Sequence, residues 1–288
     1  MAVARVLITG ARGMLGQRLV EAFSGRHEVL VTARSGERTL DITDEAAVAE
    51  CVAAFQPDWI VNAAAYTAVD KAETEVAEAF RINEHGSAVL ARAAGASGAV
   101  LLHVSTDFVF AGTASQPYDE TQPVAPVGVH ACSKEAGERA VRRFAPDHVI
   151  LRVAWLFGPG GKNFVDTILK FARERGALRV VADQYGTPTF TRDAAEAALR
   201  VLERGLRGTV HAANTGVVSW HGLAVEACRL AGIAAVITPI TTAEWPTPAP
   251  RPAYSALRNR VLEESLGMFQ RPWQDALAEH VALRGEVK

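Results

Sequence analysis

Short apolar runs alternate with stretches of helical spacing along the first half of the chain. The runs are rich in β-branched residues and have the length of buried strands, which predicts strands over 6–8, 28–33, 59–61, 99–104 and 149–153. Predicted helices separate them: one spans roughly 74–94, and an earlier one, with an N-cap at Thr43, carries an apolar stripe at Val48, Cys51, Val52 and Phe55. This alternation indicates an α/β architecture with a doubly wound parallel sheet.

Beyond residue 155 the predicted elements are shorter and less regular. Helices are predicted over 163–173, 192–203 and 219–230 and from Pro272 onward, with a short strand over 178–181. The stretch from 239 to 252 holds too many prolines for regular structure, and we expect an ordered loop there. The pattern therefore predicts a smaller C-terminal lobe beside the sheet.

The first predicted strand leads directly into a turn with three glycines, Gly10, Gly13 and Gly16, and helical spacing resumes at Leu15. In such a turn the glycines permit the sharp bend, the close approach of a ligand, and tight packing of helix on strand. The amide groups at the helix N-terminus then form a site for pyrophosphate. A glycine triplet alone is explained by a tight turn, but its position between strand and helix favours a Rossmann-type dinucleotide site.

The end of the second predicted strand bears on the choice of dinucleotide. An acidic residue there favours the free ribose hydroxyl of NAD(H), whereas an arginine accommodates the additional phosphate of NADP(H). The strand ends in Arg34 and Ser35 without an acid, and Arg12 lies in the glycine turn. We therefore expect NADP(H) rather than NAD(H); the alternative is that Arg34 is a solvated loop residue.

Composition and charge narrow the classes of protein to which the chain could belong. The 288 residues carry a net charge of −2 with both signs dispersed, which indicates neither a nucleic-acid surface nor a membrane-binding patch. The three cysteines are far apart, so we expect no disulfide framework and no metal site of zinc type. The sequence shows neither a signal peptide nor a membrane-spanning apolar run, and we expect a soluble, cytoplasmic protein.

A series of motifs, in order along most of the chain, carries a family resemblance. They are ITGARGMLG at 8–16, NAAAYTAVDKAE at 62–73, STDFVF at 105–110, Ser133-Lys134 with Gly137-Glu138, RVAW at 152–155, Asn163-Phe164, DQYGTPT at 183–189, and Arg251-Pro252 with Ser255. Together they resemble extended short-chain dehydrogenases/reductases, and within that group the dTDP-4-dehydrorhamnose reductase family. The resemblance implies a dinucleotide domain over 1–155, joined by a later strand and helix at about 190–213, and a substrate lobe mainly over 156–288.

In the family that the chain resembles, a serine or threonine, a tyrosine, and a lysine four residues after it reduce a sugar ketone. Thr106 and Lys134 match the first and last of these, but His130 occupies the tyrosine position. Imidazole is shorter than phenol, and its reference pKa is about 6.5 instead of about 10. Lys134 and a positive nicotinamide would lower that pKa further and leave the ring largely neutral at neutral pH.

Three interpretations of His130 follow. An active enzyme would work best at mildly acidic pH, with the imidazolium as general acid. Alternatively, the chain is a folded cofactor binder with little turnover, or His130 is a loop residue unrelated to catalysis.

The resemblance also assigns binding residues. NADPH, with NADH as the alternative, is expected at the glycine turn, at two strand ends and at the lysine: Gly10, Arg12, Gly13, Met14, Leu15, Gly16, Arg34, Asp41, Ile42, Ala63, Ala64, Ala65 and Lys134. The substrate is expected at Thr67, Val69, Thr106, Phe108, His130, Trp155 and Asn163. Phe108 replaces a tyrosine common in the family, and Trp155 is alternatively a core residue.

The resemblance thus implies an NAD(P)H-dependent 4-ketoreductase of a dTDP-linked 4-keto-6-deoxyhexose, in deoxysugar biosynthesis. A homodimer is compatible with it, as is a divalent ion between subunits, although no metal ligand is predicted. One alternative is a catalytically impaired dinucleotide-binding or regulatory homologue. Another, epimerase or dehydratase chemistry, is disfavoured because those relatives also rely on the missing tyrosine.

Overall fold

A computed structural model describes residues 2–36 and 38–286 of the chain. The strands are β1 Arg5–Thr9, β2 Glu28–Val31, β3 Trp59–Asn62, β4 Val100–Thr106, β5 His148–Val153, β6 Leu156–Phe157, β7 Ala177–Val181, β8 Tyr185–Gly186, β9 Thr189–Phe190, β10 Gly208–His211, β11 Val218–Ser219 and β12 Val236–Ile240. The helices are α1 Met14–Ser24, α2 Glu45–Phe55, α3 Val69–Ala72, α4 Val76–Phe80, α5 Ser87–Ser97, α6 Val129–Phe144, α7 Phe164–Arg175, α8 Thr191–Glu203, α9 Trp220–Leu230, α10 Arg260–Leu266 and α11 Trp273–Glu286. A π-helical turn, Arg81–Gly86, joins α4 to α5, and 3-10 turns cover Asp107–Val109 and Thr242–Glu244.

The main sheet is parallel and has the order β10-β5-β4-β3-β1-β2. Chain order reverses between β1 and β3, which creates the crevice at the carboxyl ends of the strands where such folds bind ligands. The doubly wound α/β prediction is confirmed. β10 lies far along the chain yet pairs with β5, so the polypeptide leaves the sheet for the smaller lobe and returns.

Apolar side chains cover both faces of this sheet. Leu19 and Phe23 of α1 join Leu199 of α8 in a core on one face. Val52 of α2, Val141 of α6 and their neighbours from α5 form the core on the other. The smaller lobe has a separate core built from α7, α9 and α11 against β7 and β9, lined by residues that include Phe157, Phe190, Leu223 and Leu277. Burying side chains of this size is the main stabilising contribution in both regions.

Two local predictions in the first half are wrong. The N-cap of α2 is Asp44, whose carboxylate accepts the Ala47 amide at 3.0 Å, because the Thr43 hydroxyl donates instead to Asp41 at 2.8 Å. The helix predicted over 74–94 is interrupted by the π-helical turn, which inserts an additional residue where Gly86 packs against another loop.

Two further predictions concern strand bounds. The second strand ends at Val31, two residues earlier than predicted, so Arg34 lies in the following loop. Pro239 belongs to a regular strand, because β12 pairs only with β7 and leaves one edge that requires no amide donor. The rest of the proline-rich stretch is irregular apart from the 3-10 turn at Thr242–Glu244.

Candidate active site

The carboxyl ends of β1, β3, β4 and β5 face the smaller lobe across an open cleft of about 880 Å³. The glycine turn lies at one end, Thr106, His130 and Lys134 lie in the middle, and aromatic side chains close the other end. A second hollow of about 740 Å³ lies behind α1 and α8, but its lining includes ion pairs, among them Arg271 with Asp193 and Glu279 at 2.8 and 2.6 Å. The candidate chemistry therefore belongs to the cleft.

The glycine turn has the shape that a dinucleotide site requires. Gly10 has a φ of +69°, and a Cβ atom there would lie 2.4 Å from the Ala64 amide nitrogen. A Cβ atom on Gly16 would lie 2.2 Å from the Gly10 carbonyl oxygen. Gly13 is the N-cap of α1 without any side-chain cap, and the next two residues, Met14 and Leu15, line the cleft. An uncapped helix N-terminus directed at a cleft suits an anionic diphosphate.

Lys134 is held by a polar chain that crosses the sheet. Its Nζ atom donates to the Val104 carbonyl oxygen at 2.7 Å and lies 3.4 Å from His103 Nε2. Nδ1 of His103 lies 3.1 Å from the Asn62 side-chain amide, and the Asn62 Oδ1 atom accepts the Thr9 hydroxyl at 2.8 Å. Burial lowers the pKa of Lys134 to about 8, so the amine remains mostly charged at neutral pH.

His130 lies in the first turn of α6, and its side chain is buried at the cleft wall. Burial, together with the charges of Lys134 and Arg251, lowers the pKa of His130 to about 4, while a contact with the Tyr66 backbone acts the other way. The ring is therefore neutral at pH 6 as well as at pH 7, which removes support for imidazolium catalysis at mildly acidic pH. Its ring lies nearly perpendicular to that of Phe108, with an interplanar angle of 80° and ring centroids 6.1 Å apart.

Thr106 ends β4, and its hydroxyl bridges to the next turn. Oγ1 of Thr106 accepts the Phe108 amide at 3.1 Å and donates to Asp107 Oδ1 at 3.1 Å. Asp107 also lines the cleft and is almost completely buried. Burial raises the pKa of the Asp107 carboxyl to about 7, against the opposing influence of Ser255 and Thr106.

Stacked aromatic side chains form the far wall of the cleft. Trp155 has a φ of +44°, and its ring stacks on Trp220 with centroids 3.4 Å apart. Phe164 packs against Trp220 at 4.5 Å and also lines the cleft. The sequence leaves Trp155 as either a substrate residue or a core residue. In the structure it packs against the core of the smaller lobe and also lines the cleft. Such flat apolar surfaces suit the faces of a sugar or a base.

The structure separates the predicted cofactor residues into groups. Those around the cleft are Gly13, Met14, Leu15, Gly16, Ala63, Ala65 and Lys134, and Gly10 and Ala64 contact each other beneath them. Arg12 instead lines a hollow of about 540 Å³ at the end of β2, together with Ser35 and Arg38. Arg34 is absent from that lining. The Thr43 amide lowers the pKa of Asp41 and the Arg81 guanidinium lowers that of Glu78, and the charge of Arg34 adds a smaller effect to both. The Asp41 carboxylate accepts a hydrogen bond from the Thr43 hydroxyl, and the Ile42 side chain packs against Gly86.

Among the predicted substrate residues, Thr67, Val69, Thr106, Phe108, His130 and Trp155 line the cleft. Asn163 does not: it caps α7 by accepting the Asp166 amide at 2.9 Å, and its amide donates to the Gly158 carbonyl oxygen at 3.0 Å. Sequence reasoning missed Asp107, Trp220, Phe164 and Arg38. Only Asp107 had a visible signal, as the acid directly after the hydroxyl residue at a strand end.

The parallel sheet, the glycine turn at its switch point, and the threonine and lysine that share one cleft define an extended short-chain dehydrogenase/reductase. A family model described as "RmlD substrate binding domain" matches residues 4–284. A dTDP-4-dehydrorhamnose reductase of Streptomyces griseus is 44% identical over 282 residues, which cover 96% of this chain and 92% of the relative.

Solved structures agree. A dTDP-4-dehydrorhamnose reductase from Clostridium acetobutylicum matches with a TM-score of 0.94 at 41% identity, covering 98% of this chain and 99% of that one. Another, from Bacillus anthracis in complex with NADP, matches with a TM-score of 0.93 at 36% identity, covering 97% and 99%. The chain belongs to the dTDP-4-dehydrorhamnose reductase family, as its motifs predicted.

Proposed function

We propose that the protein is an NADPH-dependent oxidoreductase that reduces the 4-keto group of a dTDP-linked 4-keto-6-deoxyhexose, a step in deoxysugar biosynthesis. The relatives from Streptomyces griseus and Clostridium acetobutylicum are named for that activity, and this chain matches each of them over nearly its whole length. The observation that carries the proposal is the meeting of Thr106, His130 and Lys134 in one cleft beside the glycine turn.

The residues of the cleft fit the cofactor. The N-terminus of α1 would hold the diphosphate, Lys134 would hold the nicotinamide ribose, and Arg12 with Arg38 would face the ribose phosphate that distinguishes NADPH from NADH. The related structure from Bacillus anthracis was solved with NADP, and NADH is the alternative. When bound, NADPH supplies the hydride that reduces the ketone carbon.

The chain's own residues orient the ketone and stabilise charge on its oxygen. Thr106 presents a hydroxyl, and His130 presents a neutral imidazole that donates a hydrogen bond but cannot readily give up a proton. Trp155 and Phe108 line the cleft and present flat apolar surfaces to the sugar. Asn163 takes part indirectly, by fixing the start of α7 beside Phe164.

A direct assay tests the proposal. Purified protein with a dTDP-4-keto-6-deoxyhexose should consume NADPH, as followed by its absorbance. His130→Tyr should raise kcat by about 100-fold, because a phenol is a competent proton donor beside a lysine, whereas His130→Phe should not. NADPH-dependent thermal stabilisation without NADPH consumption would instead favour the catalytically impaired homologue.

Two properties remain predictions from the sequence. None of the described helices is long and apolar enough to cross a membrane. The cytoplasmic location and a homodimer are proposed from the sequence, and gel filtration of the purified chain tests the second.

A further inference from the structure

Reduction of a ketone to an alcohol requires a proton as well as a hydride. The phenol that supplies this proton in the family is replaced by His130. Because the pKa of His130 is about 4, its ring carries no charge at pH 7 or at pH 6. Lys134 already donates to the Val104 carbonyl oxygen and holds its position through His103. A proton source has to be sought among the other polar groups of the cleft.

Asp107 lies one residue beyond the hydroxyl that faces the ketone. Its Oδ1 atom accepts the Thr106 hydroxyl at 3.1 Å, so in this arrangement the Thr106 hydrogen is directed at the carboxyl. Its Oδ2 atom is buried and makes no direct hydrogen bond to the described residues, although the Ser255 hydroxyl, which also lacks a partner, lies near enough to offset part of the effect of burial on the pKa of the carboxyl. Burying a charged carboxylate oxygen without a donor costs more free energy than burying the uncharged oxygen of a carboxylic acid at the same place.

We propose that Asp107 is the proton source for ketone reduction and delivers its proton through the Thr106 hydroxyl. The inference rests on the proposed function and deepens it. When Asp107 is protonated on Oδ1, the hydrogen bond reverses and Thr106 Oγ1 accepts from both Asp107 and the Phe108 amide. The Thr106 hydrogen is then free to point at the ketone, and the hydroxyl makes all three of its hydrogen bonds.

The transfer is balanced. As the hydride adds to the ketone carbon, the ketone oxygen takes the proton of Thr106 Oγ1, and the oxygen–hydrogen bond of Thr106 re-forms with the proton from Asp107. The ketone is reduced to an alcohol, the nicotinamide is oxidised, and Asp107 is left as a carboxylate. Water that enters the open cleft returns a proton to Asp107 before the next turnover.

The surroundings of Asp107 favour its acid form. Burial is the largest influence on its pKa, which it raises to about 7, and the neighbouring Ser255 and Thr106 hydroxyls oppose it only in part. The charged and titratable groups that share the cleft are His130 and Lys134 from α6, Lys162 from the loop before α7, and Arg251 from the C-terminal segment. Arg251 pairs with Asp70 at 2.8 Å.

The first test compares the buried carboxyl of Asp107 with the half-buried carboxyl of Glu120, each changed singly in otherwise unaltered protein. Asp107→Asn should lower kcat by about 100-fold with little change in KM, because the amide keeps the shape but cannot supply the proton. The wild-type kcat should fall as the pH rises through about 7, and Asp107→Asn should abolish that fall. Glu120→Gln is the matched control: burial raises the pKa of Glu120 too, but it accepts the His211 and Val261 amides outside the cleft.

Thr106 provides a second route to the same answer if Asp107→Asn folds poorly. Thr106→Ser keeps the hydroxyl and should retain the fall in kcat near pH 7, whereas Thr106→Val should lose both the rate and that pH dependence. In a His130→Tyr background, Asp107→Asn should cost about 10-fold or less, because the phenol donates directly. An equal loss from Asp107→Asn in both backgrounds would overturn the relay.

A spectroscopic readout separates this inference from the proposed function. Infrared difference spectra of the cofactor-free protein should show a protonated carboxyl that titrates near pH 7 and is missing in Asp107→Asn. Wild-type turnover combined with an Asp107→Asn variant that matches Glu120→Gln would overturn the relay alone. Wild-type protein that binds NADPH but reduces no ketone would overturn the proposed function itself.

Discussion

At the scale of single residues, burial moves the pKa values of acids and bases in this cleft in opposite directions. It raises that of Asp107 to about 7 and lowers that of His130 to about 4. At neutral pH the carboxyl is therefore the group that holds a transferable proton, and the imidazole is a neutral donor. Faster NADPH oxidation at mildly acidic pH would consequently not identify His130 as the acid, and only the variants at Asp107 and His130 distinguish the two.

Cofactor preference is also decided by individual side chains. Arg38→Ala should raise the KM for NADPH by about tenfold, because a charge-assisted hydrogen bond to the ribose phosphate is lost, and should change the KM for NADH little. Arg34→Ala is the control, since Arg34 does not line the same hollow and should affect neither cofactor. Steady-state kinetics with each dinucleotide measure the effect. An equal rise in KM for both would contradict the assignment of Arg38.

At the scale of elements, the contact between α1 and the strand end is set by glycine. Gly16→Ala should lower the thermal midpoint by several degrees and weaken NADPH binding, because its methyl group would meet the Gly10 carbonyl oxygen at 2.2 Å and force the helix away. Gly25→Ala is the matched control: nothing lies within 4 Å of its Cβ position, and its φ of −74° suits alanine. Thermal denaturation with and without NADPH tests both, and similar losses in the two variants would contradict this account.

Most elements could be predicted from the sequence, because apolar periodicity follows directly from burial on a sheet or helix face. The glycine turn could be predicted from the spacing of its three glycines between a strand and a helix. Departures arose where a contact distant in sequence decides the outcome. The π-helical turn before α5 packs against residues near Ile42, and the pairing of Pro239 depends on β7. The stacking of Trp155 on Trp220 joins elements 65 positions apart, which no local pattern encodes.

At the scale of the whole molecule, acid stability combines buried groups from several elements. His103, His130 and His211 lie on β4, α6 and β10, and burial lowers the pKa of each, to about 4 for His130 and about 3 for His211. Unfolding exposes all three rings. Below about pH 6.5 they therefore bind protons in the unfolded chain that they do not bind in the folded chain. Asp107 acts in the opposite sense, since only the folded chain keeps its proton near pH 6.

These groups predict a steep loss of stability with acid. At any pH between about 6 and about 5, the unfolded chain holds about three protons on these histidines that the folded chain lacks. The folded chain holds one proton on Asp107 that the unfolded chain lacks. The net difference of two protons should lower the free energy of unfolding by about 3 kcal/mol per pH unit. Denaturant titrations across this range measure the slope. His211→Asn can place an amide nitrogen where Nδ1 contacts the Arg258 carbonyl oxygen and removes one titrating group, so it should reduce the slope by about 1.4 kcal/mol per pH unit. A slope unchanged by this variant would show that His211 is not buried as a neutral ring, because a histidine with its ordinary pKa in the folded chain contributes nothing to the difference in bound protons.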